Sequence, residues 1–209
     1  MSLPRIILAD DHPLFAEGLR ALLQEDFDVI AVVEDGQALL EAVEQYAPDL
    51  VIADVSMPKL NGIECVRKLR SSHPNLKIIL LTMHEEISLA TAAMQSGASG
   101  YLLKNGGTVE VLRAVRTALV GGTHVSPQLA AAVQSAIESG DSASQDLTPR
   151  QVEIVRHLIA GLSAKEIAAT LSLSPRTVEH HKYQAMERIG VSTSAELITY
   201  GLKLGIGPL

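Results

Sequence analysis

The sequence predicts an α/β fold with a doubly wound, five-stranded parallel sheet, followed by a smaller all-α domain of four helices. The first part rests on short apolar runs that alternate with stretches of helical periodicity. These runs lack the polar alternation of a half-exposed sheet, as expected when crossover helices cover both faces. The second part rests on well-marked helix starts after residue 145.

The elements of the first domain follow in order along the chain. The apolar runs predict strands at 5–9, 29–32, 50–53, 77–81 and 100–103. Residues 109–119 predict a helix that packs on the sheet and ends at Gly121 and Gly122. The Ala-rich segment 127–138 predicts another helix, and residues 139–145 are typical of a flexible linker. We therefore predict a first domain at 1–122, a partly helical linker at 123–145 and a second domain at 146–209.

Helix starts mark the second domain. Thr148 is followed by Pro at the first helical position, Ser163 begins a capping box, and Ser174 precedes another Pro. A fourth helix follows from about Ser194. Only a few residues around Leu173 join the second and third helices, which is the spacing of a helix-turn-helix.

Composition favours a globular protein with an aliphatic core, because 47% of the residues are apolar and they include no Trp and only two Phe. No apolar run approaches the roughly 18 residues of a membrane-spanning helix, and the N-terminus shows no cleavable signal pattern. We therefore expect a cytoplasmic location and no membrane partner. The single Cys65 lies on a helical pattern and is expected to be a packing thiol.

The net charge of −7 divides unevenly along the chain. Residues 1–145 contain 10 basic and 18 acidic side chains, which gives −8, whereas residues 146–209 contain 7 and 6, which gives +1. The second domain is not strongly basic. Binding to nucleic acid would therefore depend on local placement of its cations.

Polar side chains follow four of the five predicted strands, at the edge where α/β folds bind ligands. Asp10, Asp11 and Asp54 would present oxygen ligands to Mg²⁺ or Mn²⁺, which screens the charge as a phosphoryl group moves onto Asp54. Lys104 and the hydroxyl of Thr82 would bind the other phosphoryl oxygens. Taken singly, each residue has a plainer interpretation as a helix cap, a turn former or a solvated side chain. Their joint occurrence favours a phosphorylation site.

These residues resemble the receiver domain of two-component response regulators over about residues 4–122. The matching motifs are Asp10-Asp11-His12, Asp54 to Pro58 with Asn61-Gly62, Leu81-Thr82, and Tyr101 to Lys104. The resemblance implies a flavodoxin-like fold, transfer of phosphoryl from a histidine kinase to Asp54, and a metal ligand in the backbone carbonyl of Ser56. It also implies that Thr82 and Tyr101 form a switch, with the face of the fourth helix, fifth strand and fifth helix as the output surface.

Two alternatives to this interpretation are a phosphatase of another class and a Tyr101 without a switching role. Phosphatases of the haloacid-dehalogenase type also phosphorylate an aspartate at a strand end, but they carry a second Asp two residues later as the acid/base. Ser56 occupies that position here. We therefore expect no enzyme beyond metal-dependent phosphorylation and dephosphorylation of the chain itself. Tyr101 could also be a half-buried strand aromatic without a switching role.

The third helix of the second domain carries the candidate DNA contacts. Its core-facing positions, which recur at helical spacing, are Val178, Ala185, Met186 and Ile189. The predicted DNA-binding residues are Lys165, Arg176, Thr177, Glu179, His180, Lys182 and Tyr183. Glu179 could accept a hydrogen bond from cytosine but otherwise repels phosphates. His180 and His181 point about 100° apart, so we expect no shared metal site.

Residues 147–153, 161–168 and 174–181 resemble the LuxR-type DNA-binding domain. With the receiver resemblance, the chain is similar to response regulators of the NarL/FixJ family. This implies a homodimer through the last helix, around Leu197, Tyr200, Gly201 and Leu204, although these residues could simply close the four-helix core. Tyr183 and the His-rich helix depart from the usual pattern.

The sequence therefore predicts a transcription factor controlled by phosphorylation. The expected partners are a histidine kinase, double-stranded promoter DNA and a second copy of the chain, with RNA polymerase as a further candidate. Two alternatives stay open. One is a constitutive DNA binder whose receiver never sees phosphate, and the other is a phosphate sink or protein adaptor with a vestigial second domain.

Overall fold

The computed structural model describes residues 3–83, 85–138, 147–189 and 191–207. The chain divides into two compact units, Met1–Gly140 and Asp141–Leu209. The predicted flexible linker at 139–145 lies outside the described residues. Among the helices of the described segments, none combines the length and the apolar character needed to cross a membrane.

The first unit is a parallel sheet covered by helices on both faces, as the sequence predicts. Its strands are β1 (Arg5–Ala9), β2 (Asp28–Val33), β3 (Leu50–Asp54), β4 (Lys77–Thr82), β5 (Gly100–Leu103) and β6 (His124–Val125). Its helices are α1 (Pro13–Leu23), α2 (Gly36–Tyr46), α3 (Gly62–Ser72), α4 (Ile87–Gln95), α5 (Thr108–Leu119) and α6 (Pro127–Glu138). The strand order β2-β1-β3-β4-β5-β6 reverses direction between β1 and β3, which places a crevice at the carboxyl ends of these strands.

Alternate residues of each strand supply the core on opposite faces of the sheet. Ile7 and Val51 belong to the apolar cluster under α2, α3, α4 and α6, whereas Ile6 and Ile52 belong to the cluster under α1 and α5. All four side chains are at most 1% exposed. Burial on both faces explains why the strands read as continuous aliphatic runs.

The segment predicted as a linker requires a correction, because residues 124–138 belong to the first unit. His124 and Val125 form a sixth strand that pairs with β5, so the sheet has one strand more than predicted. Leu129 and Val133 of α6 are buried in the same cluster as residues of α4. A strand of two residues is too short to produce a periodic pattern, which is why the sequence did not reveal it.

The second unit contains α7 (Pro149–Ile159), α8 (Ala164–Thr170), α9 (Pro175–Ile189) and α10 (Ser194–Lys203). Capping boxes at Thr148, Ser163 and Thr193 satisfy backbone N–H groups at three of these helix starts. The predicted core positions of α9 are confirmed, since Val178 and Ala185 are each 1% exposed and Met186 is 7% exposed. Two apolar clusters hold the four helices together.

Candidate functional site

The predicted polar residues meet at the carboxyl edge of the sheet. Asp54 is the last residue of β3 and Thr82 the last of β4, while Asp10 and Lys104 directly follow β1 and β5. Parallel strands all end at this edge, so the fold alone brings together groups that are far apart in the sequence.

Lys104 joins two carboxylates in this cluster. Its Nζ lies 2.6 Å from Asp54 Oδ2 and 2.7 Å from Asp10 Oδ2, and the three side chains are only 4–5% exposed. The ammonium also lies 4.5 Å from the centroid of the Phe15 ring on α1. These contacts hold one cation at a fixed position beside Asp54.

Burial and hydrogen bonding act in opposite directions on the charges here. Burial raises the pKa of Asp54. Its hydrogen bond with Lys104 acts in the opposite direction, as does the 3.1 Å hydrogen bond that it accepts from the backbone N–H of Ser56. Burial alone would lower the pKa of Lys104, but its bonds with Asp10 and Asp54 outweigh that effect and raise it. Lys104 is therefore held as a cation, and added positive charge at this edge would favour the ionised form of Asp54 further.

The same edge presents an oxygen-rich group of side chains that could hold a metal ion. Asp10, Asp11, His12 and Asp54 each offer a ligand atom, and these atoms lie within 4.8 Å of one another. Asp11 Oδ1 is buried and has no hydrogen-bond partner among the described residues, although His12 Nδ1 lies 2.8 Å away. A buried carboxylate oxygen without a hydrogen bond fits a site that receives a divalent cation.

The predicted switch residues lie beneath this cluster. Tyr101 and Thr82 are both fully buried, and their side chains are hydrogen-bonded to each other. Burial raises the pKa of the Tyr101 hydroxyl, so it stays protonated. The tyrosine is therefore turned into the unit.

A pocket of about 470 Å³ opens above Asp54. Besides the predicted residues, it is lined by His12, Phe15 and Met83. Met83 follows Thr82 directly and is 70% exposed. None of these three was given a role in the sequence analysis. His12 follows Asp11 and Met83 follows Thr82, so for these two the position in the sequence was a usable signal.

Helix α9, which carries the predicted DNA contacts, presents a mixed surface. Arg176, His180 and Tyr183 are exposed, as is Lys165 on α8. Thr177 is half-buried and hydrogen-bonded with Ser174, which caps the start of α9.

Lys182, predicted as a DNA contact, is engaged within the helix. Its Nζ lies 2.6 Å from Glu179 and 5.2 Å from the Tyr183 ring centroid, and its side chain is only 15% exposed. On the N-terminal half of α9, Arg176 is thus the exposed cation, and Arg188 lies in its last turn.

The predicted dimerisation residues pack mainly within the second unit. Leu197 and Gly201 are buried inside the second unit, and a Cβ at Gly201 would lie 2.5 Å from Val155 of α7. Tyr200 and Leu204 are half-buried, and Leu204 packs on the same core. The apolar stripe of α10 therefore closes the four-helix core, and Leu202, which is 54% exposed, is the large apolar residue that α10 leaves on the surface.

Comparison with known proteins matches both units. The family model described as "Response regulator receiver domain" matches residues 6–116, and that described as "Bacterial regulatory proteins, luxR family" matches residues 145–200. The transcriptional regulatory protein MctR of Rhizobium johnstonii is 37% identical over 205 residues, which cover 97% of this chain and 94% of the relative.

Solved structures match over the same span. RcsB of Salmonella enterica serovar Typhimurium, bound to the promoter rprA in the presence of phosphomimetic BeF₃⁻, is 27% identical with a TM-score of 0.66 and covers 95% of this chain and 98% of that one. A structure of two RcsB dimers bound to two parallel DNAs is 26% identical with a TM-score of 0.62 and covers 97% and 100%.

Proposed function

The chain belongs to the response regulators that join a receiver domain to a LuxR-family DNA-binding domain, and from this we propose that phosphorylation of Asp54 switches its binding to promoter DNA. One observation carries the proposal. A buried carboxylate at the end of β3 lies beside a fixed ammonium and a set of metal ligands, under an open pocket.

The transfer is a simple exchange of bonds. An Asp54 carboxylate oxygen attacks the phosphorus of a phosphohistidine on the kinase, the P–N bond breaks, and the imidazole leaves and takes a proton from solvent. Lys104 is already within 2.6 Å of Asp54, so it can follow the new charge to a phosphoryl oxygen. The hydroxyl of Thr82 donates to another phosphoryl oxygen.

Asp10, Asp11, Asp54 and the backbone carbonyl of Ser56 would hold a divalent cation, which we propose to be Mg²⁺ or Mn²⁺. When bound, the cation neutralises charge on the phosphoryl oxygens. Asp11 contributes the oxygen that lacks a hydrogen bond, and Asp10 is already oriented by the backbone N–H of His12 at 2.9 Å.

This chemistry acts on the chain itself. The position two residues after Asp54 is Ser56, which offers no carboxylate to protonate a leaving group, so we propose no turnover of external substrates. The partners are then a histidine kinase, duplex promoter DNA and a second copy of the chain, in the cytoplasm where the chromosome lies. RcsB is described as dimers on DNA, which supports the dimer, and RNA polymerase is a further proposed contact.

The test compares DNA binding with and without beryllofluoride and Mg²⁺, which together mimic a phosphoryl group on aspartate. The duplex is one that the wild-type protein selects from a random pool. We expect the mimic to strengthen binding by wild type and by Asp26→Ala, an exposed carboxylate control, but not by Asp54→Ala. Equal binding by every variant with or without the mimic would favour the constitutive binder.

A different failure would favour the adaptor. Phosphate contacts are strongest at low salt, so a DNA-binding domain should select some duplex under those conditions. If no duplex is retained at low salt while Asp54 is still phosphorylated, the second unit is not a DNA reader.

A further inference from the structure

The strand that carries Tyr101 is not an edge strand. β6 pairs with β5, and α6, which begins two residues after β6, packs on α4. The surface of α4, β5 and α5 that the receiver resemblance marks for output is therefore partly covered by the chain's own residues 124–138. Because α6 is the last described element before the second unit, this segment is placed to carry a signal onward.

Ser126, which lies between β6 and α6, is hydrogen-bonded at two points to β5, the strand that carries Tyr101. Its backbone N–H donates to the carbonyl of Tyr101 at 3.0 Å, and its Oγ accepts from the N–H of Leu103 at 3.0 Å. Ser126 is fully buried, so neither bond is exchanged with water in the folded unit. One residue thus fixes the backbone next to Tyr101 and next to Lys104.

The same hydroxyl is held by α5. Ser126 Oγ donates to Glu110 Oε1 at 2.5 Å, and His124 Nε2 lies 3.5 Å from that oxygen. A Cβ at Gly106 would lie 2.2 Å from Glu110 Oε2, so the carboxylate also packs closely against the loop that follows Lys104. Movement at the end of β5 would break buried hydrogen bonds unless Ser126 moved with it.

Ser126 also starts α6. Its carbonyl accepts from the N–H groups of Leu129 at 2.8 Å and Ala130 at 3.1 Å. The first turn of α6 is therefore built on the residue that holds β5. A packed helix moves as a rigid element, so a small shift at its first turn displaces the whole helix.

We propose that Ser126 couples the phosphorylation pocket to α6, so that the charge state of Asp54 reaches the second unit through residues 124–138. This rests on the proposed function, because phosphorylation of Asp54 is its input. Ser126 acts here as a positioning residue for β5 and touches no reacting atom.

The test uses Ser126→Ala in the full chain, with Ser99→Ala as the matched control. Ser99 is also buried, and its Oγ accepts from the backbone N–H of Ile78 at 3.3 Å, but it lies at the opposite end of β5 from the pocket. Each variant loses one buried hydroxyl that accepts from a strand N–H. Only Ser126→Ala removes a side-chain hydrogen bond between the end of β5 and the residue that starts α6, while its backbone bond to Tyr101 remains.

Hydrogen exchange with and without beryllofluoride and Mg²⁺ reports the coupling. In wild type and in Ser99→Ala, we expect the mimic to change exchange in residues 100–104 and in α6. In Ser126→Ala, the change should persist at 100–104 and be much smaller in α6, because the side-chain bond to β5 is lost. An α6 in Ser126→Ala that responds as in wild type would overturn the proposal.

DNA affinity gives a second readout. The gain caused by the mimic, about 5–150-fold for typical allosteric coupling, should fall below about twofold in Ser126→Ala and stay near the wild-type value in Ser99→Ala. If Ser126→Ala does not fold, the wild-type protein alone tests the proposal. A wild-type α6 whose hydrogen exchange does not change with the mimic, while that of residues 100–104 does, would refute it. Wild type that shows no phosphorylation of Asp54 would instead refute the proposed function.

Discussion

Tyr101 and Thr82 are hydrogen-bonded to each other beneath Asp54, and neither side chain is exposed. The bond holds the Thr82 oxygen in place, and its hydroxyl proton can rotate to donate to a phosphoryl oxygen. Tyr101→Phe should therefore weaken beryllofluoride binding by roughly fivefold, the equivalent of about 1 kcal/mol for one hydrogen bond. Isothermal calorimetry measures this, with Tyr46→Phe on α2 as the control. Unchanged affinity in Tyr101→Phe would show that the bond does not orient Thr82.

The raised pKa of Asp54 predicts a pH-dependent stability effect. Because the native pKa lies above the unfolded value of about 3.9, ionisation of Asp54 destabilises the native state as pH rises through the interval between the two. Asp54→Asn should thus increase the free energy of unfolding at neutral pH by about 1 kcal/mol, a typical scale for one substitution. The gain should vanish at a pH below both values.

Urea unfolding in metal-free buffer at neutral and acidic pH measures this difference. Asp28→Asn, which replaces an exposed carboxylate of β2, should show no comparable gain at neutral pH. A gain that stays constant at every pH would mean that ionisation of Asp54 is not its cause.

If Asp11 is a metal ligand, its removal should change how the melting temperature of the protein depends on Mg²⁺. Mg²⁺ that binds only the native state raises the melting temperature by mass action. Loss of the Asp11 carboxylate, whose Oδ1 lacks a hydrogen bond, should raise the Mg²⁺ concentration needed for a given shift by about tenfold or more. Asp28→Asn is again the charge-matched control. Equal Mg²⁺ dependence in Asp11→Asn and wild type would exclude Asp11 as a ligand.

The polar part of this site could be predicted from the sequence, whereas its apolar part could not. Asp54, Thr82 and Lys104 stand out because each ends an apolar run, and parallel strands bring such ends together. Phe15 reads as an ordinary apolar residue, and only the fold places its ring against Lys104 and the pocket.

The last helix shows a second limit of periodicity. The spacing of Leu197 and Gly201 identifies an apolar face of α10, but it does not say what covers that face. In the structure the cover is the domain's own core, with α7 close enough to exclude a Cβ at Gly201. β6 could not be predicted from periodicity either. It has only two residues, and its pairing with β5 is what makes it a strand.

Met83 should control the lifetime of the phosphorylated state. Hydrolysis requires water to attack phosphorus and break its bond to Asp54, which returns the carboxylate and releases phosphate. Met83 lines the pocket through which that water arrives. Met83→Ala should speed the decay of phospho-Asp54 by about threefold, or ~0.7 kcal/mol off the barrier. Decay is followed by phosphate-affinity electrophoresis, with the partly exposed Ile87→Ala on α4 as the control. Decay at the wild-type rate in Met83→Ala would rule out this gating.

Glu179 distinguishes two ways in which α9 could meet DNA. Its carboxylate lies 2.6 Å from Lys182, so Glu179→Gln removes a repulsive charge and releases a cation toward the phosphates. We expect tighter binding to non-specific duplex, with a salt dependence steeper by about one phosphate contact. Glu153→Gln, which breaks a similar i,i+3 pair with Arg150 on α7, is the matched control and should change neither quantity. Weaker binding to a selected duplex in Glu179→Gln would show instead that Glu179 accepts from a cytosine amino group, and loss of preference at one base position would locate that contact.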